Sequence, residues 1–282
     1  MEEGLISENS KVVLVNDGSK DKTWEIITKI HKENHMYVGI NLTRNRGHQN
    51  ALLAGLMYAK NHADICISMD ADLQDDINVM DDMIKKYNAG ADVVYGVRSS
   101  RKKDTFFKKF TAEAFYKLMN IMGVEVVFNH ADCRLMSKRA LEGLSEFKEV
   151  NLFLRGIVPQ VGYKTDIAYY ERSERVAGES KYPLKKMLAF AIDGITSFSI
   201  KPLRMITSIG FIILILSFVV LTYSVIMKLI GNTVSGWTFI VCSIWLIGGI
   251  QTLCLGVIGE YIGKIYKETK ARPRYIIECV LD

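Results

Sequence analysis

Along its N-terminal part the chain alternates between two periods. Short apolar or β-branched runs at 11–15, 37–42, 65–69 and 92–97 are separated by longer stretches whose apolar residues recur every three or four positions. The runs have strand length and the intervening stretches have helical spacing. One helix is predicted through Trp24, Ile27 and Ile30, with Ser19 or Asp21 as its cap, and others over 50–60 and 78–87. This βαβα order predicts an α/β domain with a largely parallel, Rossmann-like sheet. Phe106, Phe107, Phe110, Phe115, Leu118 and Met119 line one face of a further helix, suited either to a core or to lipid.

Toward the C-terminus the pattern changes. No charge occurs over 205–227 or over 237–259, and Gln251 is the only strongly polar side chain of the second stretch. Each exceeds the roughly 20 residues needed to cross a bilayer core, which disfavours the alternative of two buried helices in a soluble core. The connector between them allows only a hairpin. Lys201 and Arg204 precede the first span, Lys264, Lys267, Lys270 and Arg272 follow the second, and only Lys228 lies near the connector. The positive-inside rule then places both ends of a multi-pass membrane protein in the cytoplasm, with the hairpin tip facing out. After Pro183, the residues Leu184, Met187, Leu188, Ala191, Ile195 and Phe198 recur at helical spacing, with Lys185 and Lys186 opposite. They predict an amphipathic helix lying in the interface. The expected organisation is an α/β domain over 1–182, a juxtamembrane helix over 183–204, two transmembrane helices over 205–259 and a cytoplasmic tail over 260–282.

Composition narrows the function classes. Thirty-six Lys and Arg against 31 Asp and Glu give a net charge of +5, too mild for a nucleic-acid binder and suited to an anionic membrane surface. Cys66, Cys133, Cys242, Cys254 and Cys279 are scattered, without a CxxC pair, and read as reduced thiols. The polar, acidic start over 1–10 does not read as a cleavable signal. His31 and His35 are spaced i, i+4, but Lys32 stands where the zinc-protease pattern needs Glu, so they read as solvated helix residues. His48, His62 and His130 lack metal-type partners in sequence. No Gly-x-Ser-x-Gly elbow or Walker loop occurs.

The candidate chemistry lies at strand ends. Asp70-Ala71-Asp72-Leu73-Gln74-Asp75 directly follows the run 65–69. Carboxylates at i and i+2 on the carboxyl edge of a buried strand suit a hard divalent cation, which would in turn hold a diphosphate; a solvated acidic turn is the alternative. Two basic segments, one holding Arg98, Arg101, Lys102 and Lys103 and the other Arg172, Arg175 and Lys181, suit an anionic substrate.

Five ordered motifs carry a family resemblance: Val15-Asn16-Asp17-Gly18-Ser19-x-Asp21, Arg44-Asn45-x-Gly47-His48-Gln49, Asp70-Ala71-Asp72-Leu73-Gln74-Asp75, Ala131-Asp132-x-Arg134-Leu135-Met136-Ser137 and Ala177-Gly178-Glu179-Ser180-Lys181-Tyr182. With the paired spans, they resemble the family 2 glycosyltransferases. Within these they are most similar to the polyprenyl-phosphate (bactoprenol) glucosyltransferases, with dolichol-phosphate mannose synthases as cousins. The resemblance implies a GT-A fold and inverting transfer of a hexose from a nucleotide sugar, UDP-glucose being the expected donor. The implied acceptor is undecaprenyl phosphate on the cytoplasmic face of the inner (plasma) membrane, and the product would feed cell-surface polysaccharide modification. It implies that Asp17 and Arg44 read the nucleoside, with Asp70. Asp70, Asp72 and Gln74 would meet Mg²⁺ or Mn²⁺, and Asp132 would be the catalytic carboxylate. Arg98, Arg101, Arg134, Arg172, Arg175 and Lys181 would hold phosphates. The spans also offer a surface for a homo-oligomer.

The acceptor is a phosphate monoester with a second pKa near ~6, so it is largely ionised without a strong base. Asp132 is therefore either a base or an orienter of Arg134. Members of the family open with a further strand ahead of the Asp-Gly-Ser turn, whereas here only Met1 to Asn16 precede Asp17, so that strand is expected to be missing. Alternatives are a polyprenyl-phosphate mannose synthase and an N-terminally truncated, non-catalytic membrane remnant. A processive polysaccharide synthase is disfavoured because no Gln-x-x-Arg-Trp motif occurs.

Overall fold

A computed structural model describes residues 4–72, 74–98, 121–122, 130–171, 195–197, 199–230 and 236–282. In chain order its elements are β1 (Val12–Asn16), α1 (Thr23–Glu33), β2 (Tyr37–Leu42), α2 (His48–His62), β3 (Ile65–Ser68), α3 (Val79–Asn88), β4 (Val93–Arg98) and β5 (His130–Ser137). There follow α4 (Lys138–Ser145), α5 (Leu154–Gln160), β6 (Thr165–Tyr170), α6 (Lys201–Leu229), α7 (Trp237–Lys270) and β7 (Ile277–Leu281). The strand and helix runs predicted through residue 97 all form, each within a residue or two of the expected bounds.

The sheet arrangement is mixed instead of largely parallel. One sheet has the order β1-β2-β7 and the other β3-β5-β4-β6. Pairings β1–β2 and β4–β6 are parallel, while β2–β7, β3–β5 and β4–β5 are antiparallel. The βαβ rule misses this because neither β5 nor β7 is the return strand of a short βα unit. β5 runs back between β3 and β4. β7 comes from residues assigned by sequence to the tail.

The helix α2 joins the two sheets. Ala51 and Ala54 pack with Ile40 and Leu42 of the first sheet. Leu53, Leu56 and Ala59 pack with Val93, Tyr95 and Met136 of the second. A helix apolar on two faces is what a position across two sheets requires. Tyr275, between α7 and β7, packs against both cores.

The helices α6 and α7 are long and apolar enough to cross a membrane, and none of their apolar windows is buried inside the protein. Side chains such as Phe211, Leu229 and Leu253 stand 64%, 82% and 68% exposed. Patches of this size on a protein surface mark contact with an apolar partner or membrane. The helix α7 continues past Gly259 through Lys264, Lys267 and Lys270. Of the amphipathic helix expected over 183–198 only 195–197 are described, as helical residues with Ile195 buried; the rest of it, the Phe-rich stretch over 106–119 and the connector over 231–235 lie outside the described residues.

Candidate active site

The strand register itself brings two carboxylates together. β3 and β5 are antiparallel with Ser68 opposite Arg134, so continuing two residues sets Asp70 beside Asp132. The Ser68 hydroxyl donates to the Asp132 carbonyl oxygen at 2.8 Å, which holds the edge in that register.

A third group arrives from α2. The Asp17 carboxylate, at the end of β1, accepts the backbone N–H of Arg46 at 2.7 Å and of Gly47 at 2.9 Å. Gly18 follows with φ +61°, and a Cβ there would meet the Arg44 carbonyl carbon and the Asn45 nitrogen at 2.5 Å. Gly47 itself adopts φ +87°. Only glycine takes these conformations without strain, and the close approach admits no side chain. The turn thus delivers His48, the first residue of α2, over the acidic pair. His48 Nε2 lies 3.3 Å from Asp132 Oδ2 and 3.5 Å from Asp70 Oδ1.

Asp132 is clamped by two guanidinium groups. Arg155, at the start of α5, donates from Nε and Nη2 to its two oxygens at 3.1 and 3.0 Å, a bidentate fork. Arg134 donates from Nη2 at 3.1 Å, and its side chain is fully buried. Among the described residues its Nε and Nη1 have no hydrogen-bond partner.

These contacts set opposite electrostatics on the two carboxylates. Burial alone would raise Asp132, but hydrogen bonds from His48 and Arg155 and the charges of Arg155 and Arg134 outweigh it and hold the carboxyl far below its ordinary range. Asp70 is raised, first by burial and then by Asp132, Asp75 and Asp72, with His48 opposing. His48 is raised chiefly by its hydrogen bond to Asp132, against the effect of burial.

The predicted residues thus separate. Asp70 and Asp132 meet, joined by His48, and their ligand atoms lie within 4.8 Å of one another. That donor set of carboxylate oxygens and one imidazole fits a divalent cation. Asp72 is not in this group; its Oδ1 accepts the Gln74 N–H at 3.2 Å, and Gln74 is 9% exposed. Arg44 is exposed on the loop after β2, its backbone against Gly18. Arg98 ends β4 in register with Tyr170. Arg134 sits inside β5 and not in a loop. Arg101, Arg172, Arg175 and Lys181 lie outside the described residues.

Two site residues escaped the sequence reading. His48 was set aside for want of metal-type spacing, yet strand order and not spacing supplies its partners. Arg155 belongs to no motif. Its signal was a single charge inside the apolar run Leu152-Phe153-Leu154-Arg155-Gly156-Ile157-Val158. His31 is not the solvated helix residue its spacing predicts: it is buried and places Nδ1 2.7 Å from the Tyr37 carbonyl oxygen. The thiols of Cys66 and Cys133 are pushed by burial up to about 11 and about 12, which removes them as nucleophiles at neutral pH.

Comparison with known proteins agrees with this architecture. The family model for glycosyl transferase family 2 matches residues 4–145. An uncharacterized glycosyltransferase of Bacillus subtilis is 54% identical over 281 residues, covering 100% of this chain and 83% of the relative. A prophage bactoprenol glucosyl transferase homolog of Escherichia coli is 44% identical over 280 residues, covering 99% of this chain and 91% of the relative. The bactoprenol glucosyl transferase of Shigella phage SfX is 44% identical over 270 residues, covering 95% and 88%. With half its length matched by the family model and relatives aligned almost end to end, the chain belongs to glycosyl transferase family 2.

Proposed function

We propose that this chain transfers a hexose, glucose from UDP-glucose, to undecaprenyl phosphate on the cytoplasmic face of the inner membrane, with inversion. The observation that carries the reading is the clamp on Asp132 beside Asp70 at one sheet edge. Relatives named bactoprenol glucosyl transferase, at 44% identity, support the lipid-phosphate acceptor.

The geometry favours one of the two roles open for Asp132. A carboxylate held so far below its usual range is a weak base, and an ionised phosphate acceptor needs little proton removal. Asp132 then acts by fixing Arg155 and Arg134 and by orienting His48. Asp17 shapes the loop that carries Arg44 toward the nucleoside. Asp70 and His48 would hold a divalent cation, with Asp72 and Gln74 on the adjoining turn; bound there, the ion would neutralise charge on the departing diphosphate. Arg98, Arg101, Arg172, Arg175 and Lys181 are assigned to the phosphates. The helices α6 and α7 are assigned as a hairpin with both ends cytoplasmic, by the distribution of Lys and Arg.

The test is direct. Membranes containing the full chain are given radiolabelled nucleotide sugars and undecaprenyl phosphate, and the chloroform-soluble label is counted. UDP-glucose is expected to label lipid, in a reaction abolished by chelator. Absence of lipid label with every nucleotide sugar overturns the reading. Arg175→Ala and Lys181→Ala should each cut acceptor use about tenfold to a hundredfold while sparing donor hydrolysis, the worth of one charge-assisted phosphate hydrogen bond. Unchanged acceptor kinetics in both would remove them from the acceptor site.

A further inference from the structure

The C-terminal end of α7 carries a carboxylate with an unusual set of donors. Glu268 Oε2 accepts the Val150 N–H at 2.7 Å, and Oε1 accepts both the N–H and the side-chain amide of Asn151 at 2.7 Å. Three donors from one turn converge on one side chain more than a hundred residues away in sequence. The turn is held from a second side by Arg274, whose Nη1 donates to the Phe147 carbonyl oxygen at 3.0 Å. Nearby, Lys264 is 8% exposed and donates from Nζ to Ser197 Oγ at 2.9 Å.

What this turn leads to gives the contact its meaning. Four residues beyond Asn151 stands Arg155, the fork that grips Asp132. Between them, the Leu154 N–H donates to Gln49 Oε1 at 2.8 Å, next to His48. Leu154 and Ile157 are buried in the core under α2 and β4, so α5 cannot shift freely along its axis once the turn is fixed. Glu268, rooted in an apolar helix, therefore sets where α5 begins and hence where the guanidinium of Arg155 can reach.

We propose that Glu268 is a positioning residue that latches the base of the second membrane helix to the reaction centre, acting through the Val150–Asn151 turn and Arg155 on Asp132. This rests on the reading of the Asp132 cluster as the centre of transfer. Hydrogen bonds to a charged acceptor are the strong ones, and two of the three here come from backbone donors, which cannot be repositioned by a rotamer change.

The experiment uses the full chain in bilayer nanodiscs and compares wild type with Glu268→Ala, Glu268→Gln, Arg155→Ala and the Glu268→Ala/Arg155→Ala double variant. Amide hydrogen exchange reads the latch without reference to activity. Glu268→Ala should speed exchange over 150–160 about tenfold or more, while peptides of α1 and α3 stay at the wild-type rate. Glu268→Gln, which keeps one acceptor oxygen, should fall between. Transfer from UDP-glucose to undecaprenyl phosphate reads the consequence. Glu268→Ala should lower kcat about tenfold with donor KM little changed, and the double variant should be no slower than Arg155→Ala alone. Unaltered exchange over 150–160 overturns the proposal, as does a double variant slower by the product of the single effects. Should the wild type itself transfer no sugar, the functional reading falls, and the exchange result alone decides for or against the latch.

Discussion

Asp70 and Asp132 look alike in sequence, and their substitution by Asn should separate them sharply. Asp132 accepts from Arg155, from the fully buried Arg134 and from His48. Asn in its place retains one acceptor oxygen and turns an amide donor toward a guanidinium. Two charge-assisted hydrogen bonds are lost, each worth about 1.5–3 kcal/mol. Because the Arg155 side chain is 30% exposed and recovers water, the lower part of that range applies, about 3 kcal/mol in total. For a unit of this size that is a fall of about 6–12 °C in Tm. Asp70 has the opposite sign, since burial and its acidic neighbours oppose its charge; Asp70→Asn should melt at or slightly above wild type while losing transfer. Linkage follows the same signs. The Asp132 pKa is depressed in the fold, so its contribution is complete above the unfolded value near ~4 and fades as pH falls through the folded one. The Asp70 pKa is raised, so its charge costs stability at neutral pH and that cost disappears on acidification. The assay is thermal unfolding of the detergent-solubilised chain in chelator, followed by tryptophan fluorescence. Equal melting of the two variants, or Asp132→Asn within about a degree of wild type, would refute the reasoning.

Gly18→Ala should cost about 2 kcal/mol or more and reduce transfer, because the residue sits at φ +61° with the Arg44–Asn45 backbone 2.5 Å from the new Cβ; urea unfolding and the lipid-label assay check both halves. Asp92→Asn should destabilise the neutral protein, since Asp92 is 3% exposed and held by Arg139 and Ser137. Those partners lower its pKa, so the gap between variant and wild type should close as pH falls below the usual carboxylate range, read from unfolding curves at several pH values. Ending the chain after Arg204 should release it from membranes at high salt, whereas the full chain resists carbonate. The same truncation removes β7 and Glu268, so the soluble piece should also melt earlier and exchange β2 amides faster.

How much of this was legible in the sequence depends on how local the cause is. β2 forms over Tyr37–Leu42 as read, because its β-branched run and flanking turns are adjacent in the chain. The acidic edge after β3 was legible for the same reason. Asp132 was located by resemblance, but its depressed pKa was not, because Arg155 and His48 reach it from elements whose order in space no periodicity reports. Arg134 illustrates the converse: the motif marked it, yet its alternation within β5 turns it inward, away from any loop. β7 falls in the span expected as tail because Ile277-Glu278-Cys279-Val280-Leu281 is only five residues long, and its reason to exist is the open side of β2, remote in sequence.

That last strand has a consequence for the order in which the protein can be made. Asn41 and Glu278 are hydrogen-bonded at 2.7 Å across 237 positions of chain. At a synthesis rate of about 5–20 residues per second, β2 leaves the ribosome roughly 12–47 s before its partner exists. Both apolar helices are translated inside that interval. The globular part is therefore an unfinished sheet while α6 and α7 are made, with the free edge of β2 able to accept any passing strand. Completion waits until α6 and α7 have been made and Ile277–Leu281 has followed them. A nascent chain that stalls before Ile277 carries both apolar helices and its acidic edge but leaves β2 without its antiparallel partner.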